Sequence, residues 1–493
     1  MKKKIVKKLI AAAMATTMTM SLAACGGEGG GESTPDTTPD AGKDTVESAG
    51  GAGEVAPSTE AAGGEDELGG YTVLKDENGN TYDLGGMEIV IRDWWTADEE
   101  VVPTDDYEEA RENYYDWIQE TYNFTIKTVA ISSWSSTPQD FADYASTGGD
   151  DANYVFTLRQ GTELTQAMNQ GLMFDLSTLD CLDFSEAKWV SGIHEMFAKG
   201  KSIYGMRGIA PEPRGGLYFN KRILTEANIN PADIYKWQED GTWTWDKFEE
   251  LCEKINADTD NDGVIDRYAL VCVNQDLYPM AVYSNGGEYV GKDENGKYYN
   301  DVESAETIEA LDWALDMIDS YAKVFAADAE WNYAYTAFKN GEGAFLPQEA
   351  YYAGDNYTDM VDDYGFVCFP KGPKADDYTN CYNDNVYAIP ACYDADRAWK
   401  IAFAYNLYTD PVPGFEDYAT WKTDYYKEFR DLESVDLTLA RMTTNGMITY
   451  HTLIPNLKIN NDLHWGINKD NTPAQKTESI RNTWNQYIED ANK

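Results

Sequence analysis

Histidine and positive charge are both scarce in this chain of 493 residues. It holds only three histidines, and its 39 lysines and arginines stand against 86 aspartates and glutamates, for a formal net charge of −47. A chain this acidic repels phosphate backbones and anionic lipid headgroups. We therefore predict that neither nucleic acid nor an anionic membrane surface is a partner. The net charge does not restrict the local charge of a binding site.

Metal-binding and redox motifs are also missing. No Cys-x-x-Cys motif occurs, and with so few histidines we expect neither a zinc site nor a thiol-redox site. Cys252 shares one helical face with three apolar residues, which predicts a buried thiol. Apart from Cys25, six cysteines remain, which could pair in fifteen ways: Cys181, Cys252, Cys272, Cys368, Cys381 and Cys392.

The chain has no recognisable catalytic motif. There is no Gly-x-Ser-x-Gly, no phosphate loop and no internal repeat. Pairs of acids are frequent in so acidic a chain, so a glycosidase dyad stays open as an alternative. The chain is therefore predicted not to be an enzyme.

The N-terminus has the pattern of an export signal. Five lysines within the first eight residues precede an apolar, small and hydroxylic stretch up to residue 24. Residues 1–24 therefore read as a signal peptide, too short and too rich in threonine to be a spanning helix. Leu22-Ala23-Ala24-Cys25-Gly26 resembles a bacterial lipobox, in which the cysteine is diacylated and anchors the protein to the membrane. The alternative is an ordinary signal peptide in which Cys25 is incidental.

Composition divides the rest of the chain into a linker and a folded part. Residues 25–70 are mostly small, acidic and hydroxylic, and we predict a disordered acidic linker there. Residues 71–493 are long enough for two domains. The sequence also holds 14 tryptophans and 35 tyrosines. Flat rings stack on the apolar faces of sugars, so this abundance favours a carbohydrate ligand.

The first 100 residues of the folded part alternate between strands and helices. We predict strands at 88–92, 124–131 and 154–156, with helices at 107–120 and 162–170. This alternation predicts an α/β fold with a mostly parallel sheet. Ligands of such sheets lie beyond the carboxyl ends of the strands.

Several segments, taken in order, resemble the family 1 extracellular solute-binding proteins of ABC importers, of which the maltodextrin-binding protein is the familiar member. Phe219 stands where that family usually has tyrosine, and the last 70 residues match poorly. The matching segments are Gly216–Lys221, Thr242–Trp245, Asn285–Gly287 with the helix predicted at 306–322, Gly365–Pro373 and Tyr387–Pro390.

The resemblance implies an α/β, two-lobe, periplasmic-binding-protein-like (Venus-flytrap) fold that closes over a ligand by hinge bending. We place lobe 1 at 71–208 plus 366–435 and lobe 2 at 209–365 plus 436–493. The hinge crossings are expected near 205–213, 363–370 and 430–440.

The resemblance also implies the protein's role. The expected ligand is a small-molecule carbohydrate, and by family likeness an oligosaccharide. The protein is expected to act as a monomeric carrier outside the bacterial cytoplasm and to deliver this ligand to the transmembrane subunits of an ABC permease. Two alternatives stay open: a secreted glycoside hydrolase, and a binder of the same fold for a non-sugar solute.

The same resemblance indicates candidate ligand-binding residues. A carboxylate can accept hydrogen bonds from sugar hydroxyls, and an indole can cover a sugar face, which is why the end of the first strand stands out. The other positions lie after the third strand, at the hinge, before Asn285, near the family's stacking tryptophan, or in the tail. The full set is Asp93, Trp94, Trp95, Gln160, Arg214, Asp276, Tyr278, Tyr351, Asp384 and Trp465.

A separate acidic loop has the spacing of a calcium site. Its oxygen ligands would be the carboxylates at loop positions 1, 3, 5 and 9 and the carbonyl at position 7, with glycine at position 6. Position 12 should be glutamate but is Ala269, so the predicted Ca²⁺ would be structural and weak. The alternative is an acidic turn closed by Asx bonds. The predicted ligands are Asp258, Asp260, Asp262, Val264 and Asp266.

Overall fold

A computed structural model describes residues 67–68, 71–98, 102–159, 161–208, 214–382, 385–416, 421–444 and 446–493. The signal peptide and Cys25 lie outside these residues, as does nearly all of the linker. The strands, in chain order, are β1 (Glu67–Leu68), β2 (Tyr71–Thr72), β3 (Met87–Asp93), β4 (Phe124–Ala130), β5 (Asn153–Leu158), β6 (Ala198–Lys199), β7 (Ser202–Ile203), β8 (Gly215–Asn220), β9 (Tyr268–Leu270), β10 (Val290–Lys292), β11 (Tyr298–Asn300), β12 (Gly343–Glu349), β13 (Tyr364–Cys368), β14 (Asn380–Tyr382), β15 (Val386–Ala388) and β16 (Gly446–Ile448).

Helices surround these strands. Among the described residues, no helix has both the length and the apolar character that crossing a membrane requires. In chain order they are α1 (Asp106–Tyr122), α2 (Thr137–Ser146), α3 (Thr162–Asn169), α4 (Ser191–Met196), α5 (Lys221–Glu226), α6 (Ala232–Glu239), α7 (Trp245–Ile255), α8 (Asn274–Ser284), α9 (Ala305–Tyr321), α10 (Tyr333–Lys339), α11 (Tyr352–Asn356), α12 (Ala395–Tyr408), α13 (Trp421–Glu428), α14 (Ala440–Met442), α15 (Ile459–Asp462) and α16 (Pro473–Ala491), with short 3₁₀ or π turns at Leu176–Thr178, Ser434–Leu439, Tyr450–Leu453 and His464–Gly466.

The first lobe is built on a four-stranded sheet of order β15-β5-β3-β4. β3 runs parallel to both β4 and β5, which confirms the parallel sheet predicted from the alternation of strands and helices. β15 joins antiparallel to β5. One apolar cluster packs these strands against α1 and α12, and a second packs them against α2 and α3. Burial on both sides explains the β-branched run Ile89-Val90-Ile91 in β3.

The second lobe is built on a sheet of order β13-β8-β12-β9. β8 is antiparallel to both of its neighbours, and β9 is parallel to β12. Two glycines allow aromatic rings to lie against this sheet. A Cβ on Gly216 would come within 2.3 Å of the Phe366 ring, and one on Gly365 within 2.3 Å of the Phe219 ring. Any side chain at these positions would displace a buried ring.

The chain passes between the two sheets three times. Before the first passage, Met206 pairs with Tyr387 of the first lobe, and after it β8 of the second lobe begins at Gly215. Phe369 and Tyr378 are buried in the second-lobe core, so the second passage comes after Tyr378 and not at the predicted boundary before Phe366. β13 pairs with β8 from Tyr364 to Cys368. Main-chain hydrogen bonds to β8 hold these residues in the second lobe.

The third passage comes earlier than the predicted 430–440. Phe415 packs on the first-lobe core, whereas Trp421 packs on the core of the second lobe. Phe429 and Val435 are buried in that second core, and the Tyr364 hydroxyl donates to the Glu428 carbonyl at 3.0 Å. Residues 421–435 therefore belong to the second lobe, and not to the first as predicted, because their apolar side chains complete its core.

The five cysteines whose side chains the structure describes are free thiols. Cys252 is fully buried on the inner face of α7, as its helical spacing predicts. Burial raises the pKa of this thiol well above its ordinary value. A protonated, inaccessible thiol packs as a small apolar side chain and is unreactive.

Candidate functional site

The first sheet faces the second lobe with the edge at which β3, β4 and β5 end. Met206, just before the first passage, pairs with Tyr387, and β15 begins opposite Leu158, the last residue of β5. Both passages therefore leave or enter at the carboxyl edge of this sheet. Side chains that follow β3, β4 and β5 lie on the side that faces the second lobe.

The second sheet presents a matching edge. β8 begins immediately after the first passage, and β12 ends beside that start, with Glu349 opposite Gly215. β9 runs parallel to β12 and ends on the same edge, just before α8. Residues that precede β8 or follow β9 and β12 therefore face the first lobe across a cleft, which is the candidate ligand site.

Asp93 ends β3, and Trp94 and Trp95 follow it on the first-lobe face, but the environments of the three residues differ. The Asp93 carboxylate is fully buried and accepts hydrogen bonds from the Thr96 hydroxyl at 2.5 Å and the Thr96 amide at 3.3 Å. It closes the turn after β3. Trp94 and Trp95 pack edge to face at 4.8 Å, and Trp95 keeps 52% of its surface exposed. Of the three, Trp95 offers an open ring.

Trp134 is a second exposed ring on this face, and the sequence analysis missed it. It follows β4 as Trp95 follows β3, and that position is the signal that could have identified it. Its exposed fraction is 61%. The Arg159 guanidinium lies 4.7 Å from the Trp134 ring centre, and its Nε donates to the Trp134 carbonyl at 2.9 Å. Gln160, predicted next to Arg159, lies outside the described residues.

On the second-lobe face, three side chains meet where β8 begins and β12 ends. Arg214 Nη1 lies 3.2 Å from Glu349 Oε2, and the Arg214 guanidinium lies 5.5 Å from the Tyr351 ring centre. Burial, followed by the charge of Glu349, raises the pKa of the Tyr351 hydroxyl. The hydroxyl is therefore a neutral donor at ordinary pH. Arg214 and Tyr351 were both predicted; Glu349 was not.

Asp276 lies beside this group, in the first turn of α8. Its Oδ2 accepts a hydrogen bond from the Tyr335 hydroxyl at 2.6 Å and one from Gln348 Nε2 at 3.3 Å. Burial raises the pKa of Asp276 to about 7, against the hydrogen bond from Tyr335, and the Glu349 charge raises it further. Tyr335 and Gln348 come from α10 and β12, and no local sequence motif indicated them.

Tyr278 was predicted with Asp276, but the structure places it in the core. It is fully buried, and its ring stacks on the His464 imidazole at 5.5 Å. Its position two residues after Asp276 turns it about 200° around the helix axis, away from the cleft. Tyr278 therefore supports the site from behind and does not contact a ligand in the cleft.

Two more exposed tryptophans flank the second-lobe face. Trp465 is 58% exposed and follows His464, whose carbonyl accepts a bond from Asn274 Nδ2 at 3.5 Å, next to the start of α8. Trp331 is 64% exposed, and its ring meets that of Tyr335 at 5.9 Å. Trp465 was predicted and Trp331 was not. Asp384 lies outside the described residues.

The predicted calcium loop lies apart from the cleft, between α7 and β9. Carboxylate oxygens of Asp258, Asp260 and Asp262 lie within 4.8 Å of one another, a spacing that suits a hard cation with oxygen ligands. Asp266 instead accepts hydrogen bonds from the Thr259 amide and hydroxyl, the latter at 2.8 Å. The geometry therefore brings together three of the predicted ligands and leaves Asp266 bound within the turn.

The same loop also contains the Asx bonds of an acidic turn. Asp258 Oδ2 accepts from the Gly263 amide at 2.7 Å, and Asp262 Oδ1 accepts from the Val264 amide at 2.8 Å. Gly263 has a φ of 91°, a conformation that glycine adopts without strain. The turn therefore holds its own shape, and both interpretations of the loop fit the structure.

Comparison with known proteins identifies a family model and similar folds. The model for bacterial extracellular solute-binding proteins matches residues 134–402. No curated protein sequence matches the chain. The cyclic α-maltosyl-1,6-maltose binding protein from Arthrobacter globiformis superimposes with a TM-score of 0.59 at 12% identity, over 82% of this chain and 100% of that one.

Two further structures are similar. A cyclo/maltodextrin-binding protein in complex with maltotetraose gives a TM-score of 0.56 at 12% identity, over 82% of this chain and 96% of that one. UgpB from Mycobacterium tuberculosis in complex with glycerophosphocholine gives a TM-score of 0.56 at 16% identity, over 78% of this chain and 95% of that one. At these identities the likeness establishes a two-lobe binding-protein fold, while the ligand depends on the residues of the cleft.

Proposed function

The chain belongs to the bacterial extracellular solute-binding proteins, and we propose that it is a lipid-anchored carrier that captures an oligosaccharide for an ABC importer. The family accounts for the fold and for a location outside the cytoplasm. The choice of a sugar, the lipid anchor and the importer are the proposal, which rests on the side chains described above.

The observation that carries the proposal is the placement of the exposed tryptophans. Ten of the fourteen tryptophans are buried or partly buried. Two of the four exposed ones follow β3 and β4, and the other two lie near Asn274 and Tyr335, the neighbours of Asp276. An exposed indole does not contribute the free energy of burial, which is about 1.5–3 kcal/mol for a large apolar side chain. An exposed ring is therefore expected where it makes a contact with a ligand or partner. The four are Trp95 and Trp134 on the first lobe and Trp331 and Trp465 on the second.

Polar groups between the rings complete a surface suited to a sugar. Asp276 and Glu349 supply acceptors for hydroxyl groups, and Tyr351 supplies a neutral hydroxyl. A pyranose has apolar faces and hydroxyl groups around its edge. An aromatic ring can therefore stack on its face while carboxylate oxygens accept hydrogen bonds from its hydroxyls. Aromatic rings on both lobes suit a ligand of more than one sugar unit.

Transport in this proposal needs binding but no chemistry. Ligand that contacts both lobes stabilises the closed form, and three passages of the chain permit hinge closure. The permease would recognise the closed shape. Diacylation of Cys25 would hold the carrier at the membrane, because two acyl chains suffice for stable anchoring.

A carbohydrate panel tests the proposal directly. We expect at least one oligosaccharide to raise the melting temperature of the purified protein, because a ligand that binds the native state stabilises it. Small-angle scattering should then show compaction, and chromatography should recover the sugar unchanged. Hydrolysis of the sugar would instead identify a glycosidase, and tight binding of a non-sugar solute without competition by any sugar would reject the carbohydrate assignment.

A further inference from the structure

On the second-lobe face, only one of the two carboxylate oxygens of Asp276 accepts hydrogen bonds from described residues. Both hydrogen bonds that Asp276 accepts, from Tyr335 and Gln348, end on Oδ2. Oδ1 accepts none from the described residues, and the side chain is partly accessible. Because an ionised carboxylate has about four lone-pair sites, Asp276 retains acceptor capacity toward the cleft.

The groups around Asp276 leave its negative charge uncompensated. From β12 it faces Gln348 and Glu349, and from α10 the Tyr335 hydroxyl. Tyr352 on α11 and Cys272, just before α8, also interact with its charge. No cation is among the described groups that shift the pKa of Asp276, and Arg214 on this face is paired with Glu349.

This arrangement balances the charged and neutral forms of the carboxyl. Burial and the charge of Glu349 raise the pKa of Asp276 to about 7, and the hydrogen bonds from Tyr335 and Gln348 oppose that rise. A carboxyl placed so is half ionised near neutral pH. A small added interaction with either form then changes its protonation.

We infer that Asp276 selects the ligand: its ionised carboxylate accepts hydroxyl hydrogen bonds from a neutral sugar, rejects anionic sugars, and makes sugar binding proton-linked. This inference rests on the proposed function and adds to it the charge class of the substrate. A hydroxyl donates more strongly to a carboxylate than to a carboxylic acid. Sugar binding therefore releases a proton near neutral pH, and affinity falls as acid neutralises Asp276. A uronic acid or sugar phosphate would meet Asp276 with like charge.

Calorimetry of the purified protein with the neutral oligosaccharide found by the panel tests this inference. We expect Kd to rise about tenfold from pH 8 to pH 5.5, since each unit of pKa change corresponds to a tenfold change in equilibrium constant. Titrations near pH 7 in two buffers of different ionisation enthalpy should show proton release on binding. The uronate counterpart of the same sugar should bind at least about tenfold more weakly at pH 8, equivalent to about 1.4 kcal/mol.

Asp276→Asn removes the negative charge while keeping the shape of the side chain. Because Tyr335 and Gln348 both donate to Oδ2, the amide oxygen takes that position and the amide NH2 group replaces the Oδ1 acceptor. We expect this variant to bind the neutral sugar with a Kd that does not vary with pH, and to discriminate less against the uronate. Asp312→Asn is the matched control, because burial also raises the pKa of Asp312, on α9. That variant should keep the wild-type pH dependence.

The outcomes separate the inference from the proposed function. Wild-type sugar binding that is independent of pH and exchanges no proton overturns the inference alone. An Asp276→Asn variant whose Kd keeps the wild-type dependence on pH also overturns it. Equal affinity of the wild-type protein for the neutral sugar and for its uronate counterpart does the same. Absence of binding to any sugar overturns both. Proton release by the wild-type protein is measured without a variant, so a poorly folded Asp276→Asn would not obscure the result.

Discussion

Lys427 on α13 and Glu108 on α1 form the one ion pair between the two lobes whose partners are both described residues. Lys427 Nζ lies 2.5 Å from Glu108 Oε1, and only 9% of the Glu108 side chain is exposed. Glu108 Oε2 accepts from the Thr104 amide at 2.6 Å and hydroxyl at 2.8 Å. The pair lies close to the third passage, since neighbouring Tyr107 packs against Phe415. Both carboxylate oxygens are therefore used where the chain changes lobe.

The pair should stabilise the protein in a pH-dependent way. The hydrogen bond from Lys427, followed by those from Thr104, lowers the pKa of Glu108 to about 2. A carboxyl whose pKa is lowered by folding adds stability above its unfolded pKa of about 4.3, and this stability is lost as pH falls toward 2. Glu108→Gln should lower the free energy of unfolding at pH 7 by about 1–2 kcal/mol, measured by urea denaturation. The difference from the wild type should shrink below about pH 4.

A double-mutant cycle with Lys427→Met is the control for that prediction. If the pair acts as one unit, the loss in the double variant should be smaller than the two single losses added together. Strict additivity would show that Glu108 acts through Thr104 alone.

Exposed indoles should carry much of the sugar affinity. Trp95→Ala or Trp134→Ala should weaken binding by about 1–3 kcal/mol if the ring is a central anchor, as truncation of buried aromatic anchors does at other interfaces. Isothermal titration measures the loss, and tryptophan emission should shift on adding sugar to the wild type. Tyr299→Ala, which removes an exposed ring on β11, should leave Kd unchanged. Unaltered affinity in all tryptophan variants would remove the stacking role.

Calcium should stabilise the loop at 258–266. Ca²⁺ at about 100 times its Kd would add about 2.7 kcal/mol to the free energy of unfolding, seen as a higher melting temperature that EDTA reverses. Asp260→Asn should abolish the response. Asp293→Asn is a matched control, because Asp293 also closes an acidic turn by accepting from the Asn295 and Lys297 amides. A melting temperature insensitive to both Ca²⁺ and EDTA would leave the acidic turn as the explanation.

The lipid anchor can be tested at a single position. Cys25→Ala should move the protein from the membrane fraction to the soluble fraction of cells, because the proposed anchor is a lipid on that sulfur. Immunoblotting of the fractions measures the change, with Cys392→Ala as the control that should remain with the membrane. Retention of Cys25→Ala in the membrane fraction would contradict the lipobox interpretation.

Local sequence determined most of the elements that position the site. The helix predicted at 107–120 lies within α1, which spans Asp106–Tyr122, and Thr244 caps α7 by accepting from the Lys247 amide at 3.4 Å. The parallel pairing of β3, β4 and β5 followed from their alternation with helices. These features depend on residues close together in the chain, whose hydrophobic period and capping side chains can be read directly.

Only the tertiary structure decided which side chains face the ligand. Asp93 ends β3 and Trp95 follows it two residues later, yet the Asp93 side chain closes a turn while the Trp95 ring is exposed. Tyr335 and Gln348 reach Asp276 from elements separated from it by 59 and 72 residues. The passages between lobes likewise depend on which distant core a segment completes. The physical reason is that burial and long-range hydrogen bonding arise when separate elements pack together, and no local pattern encodes which elements will meet.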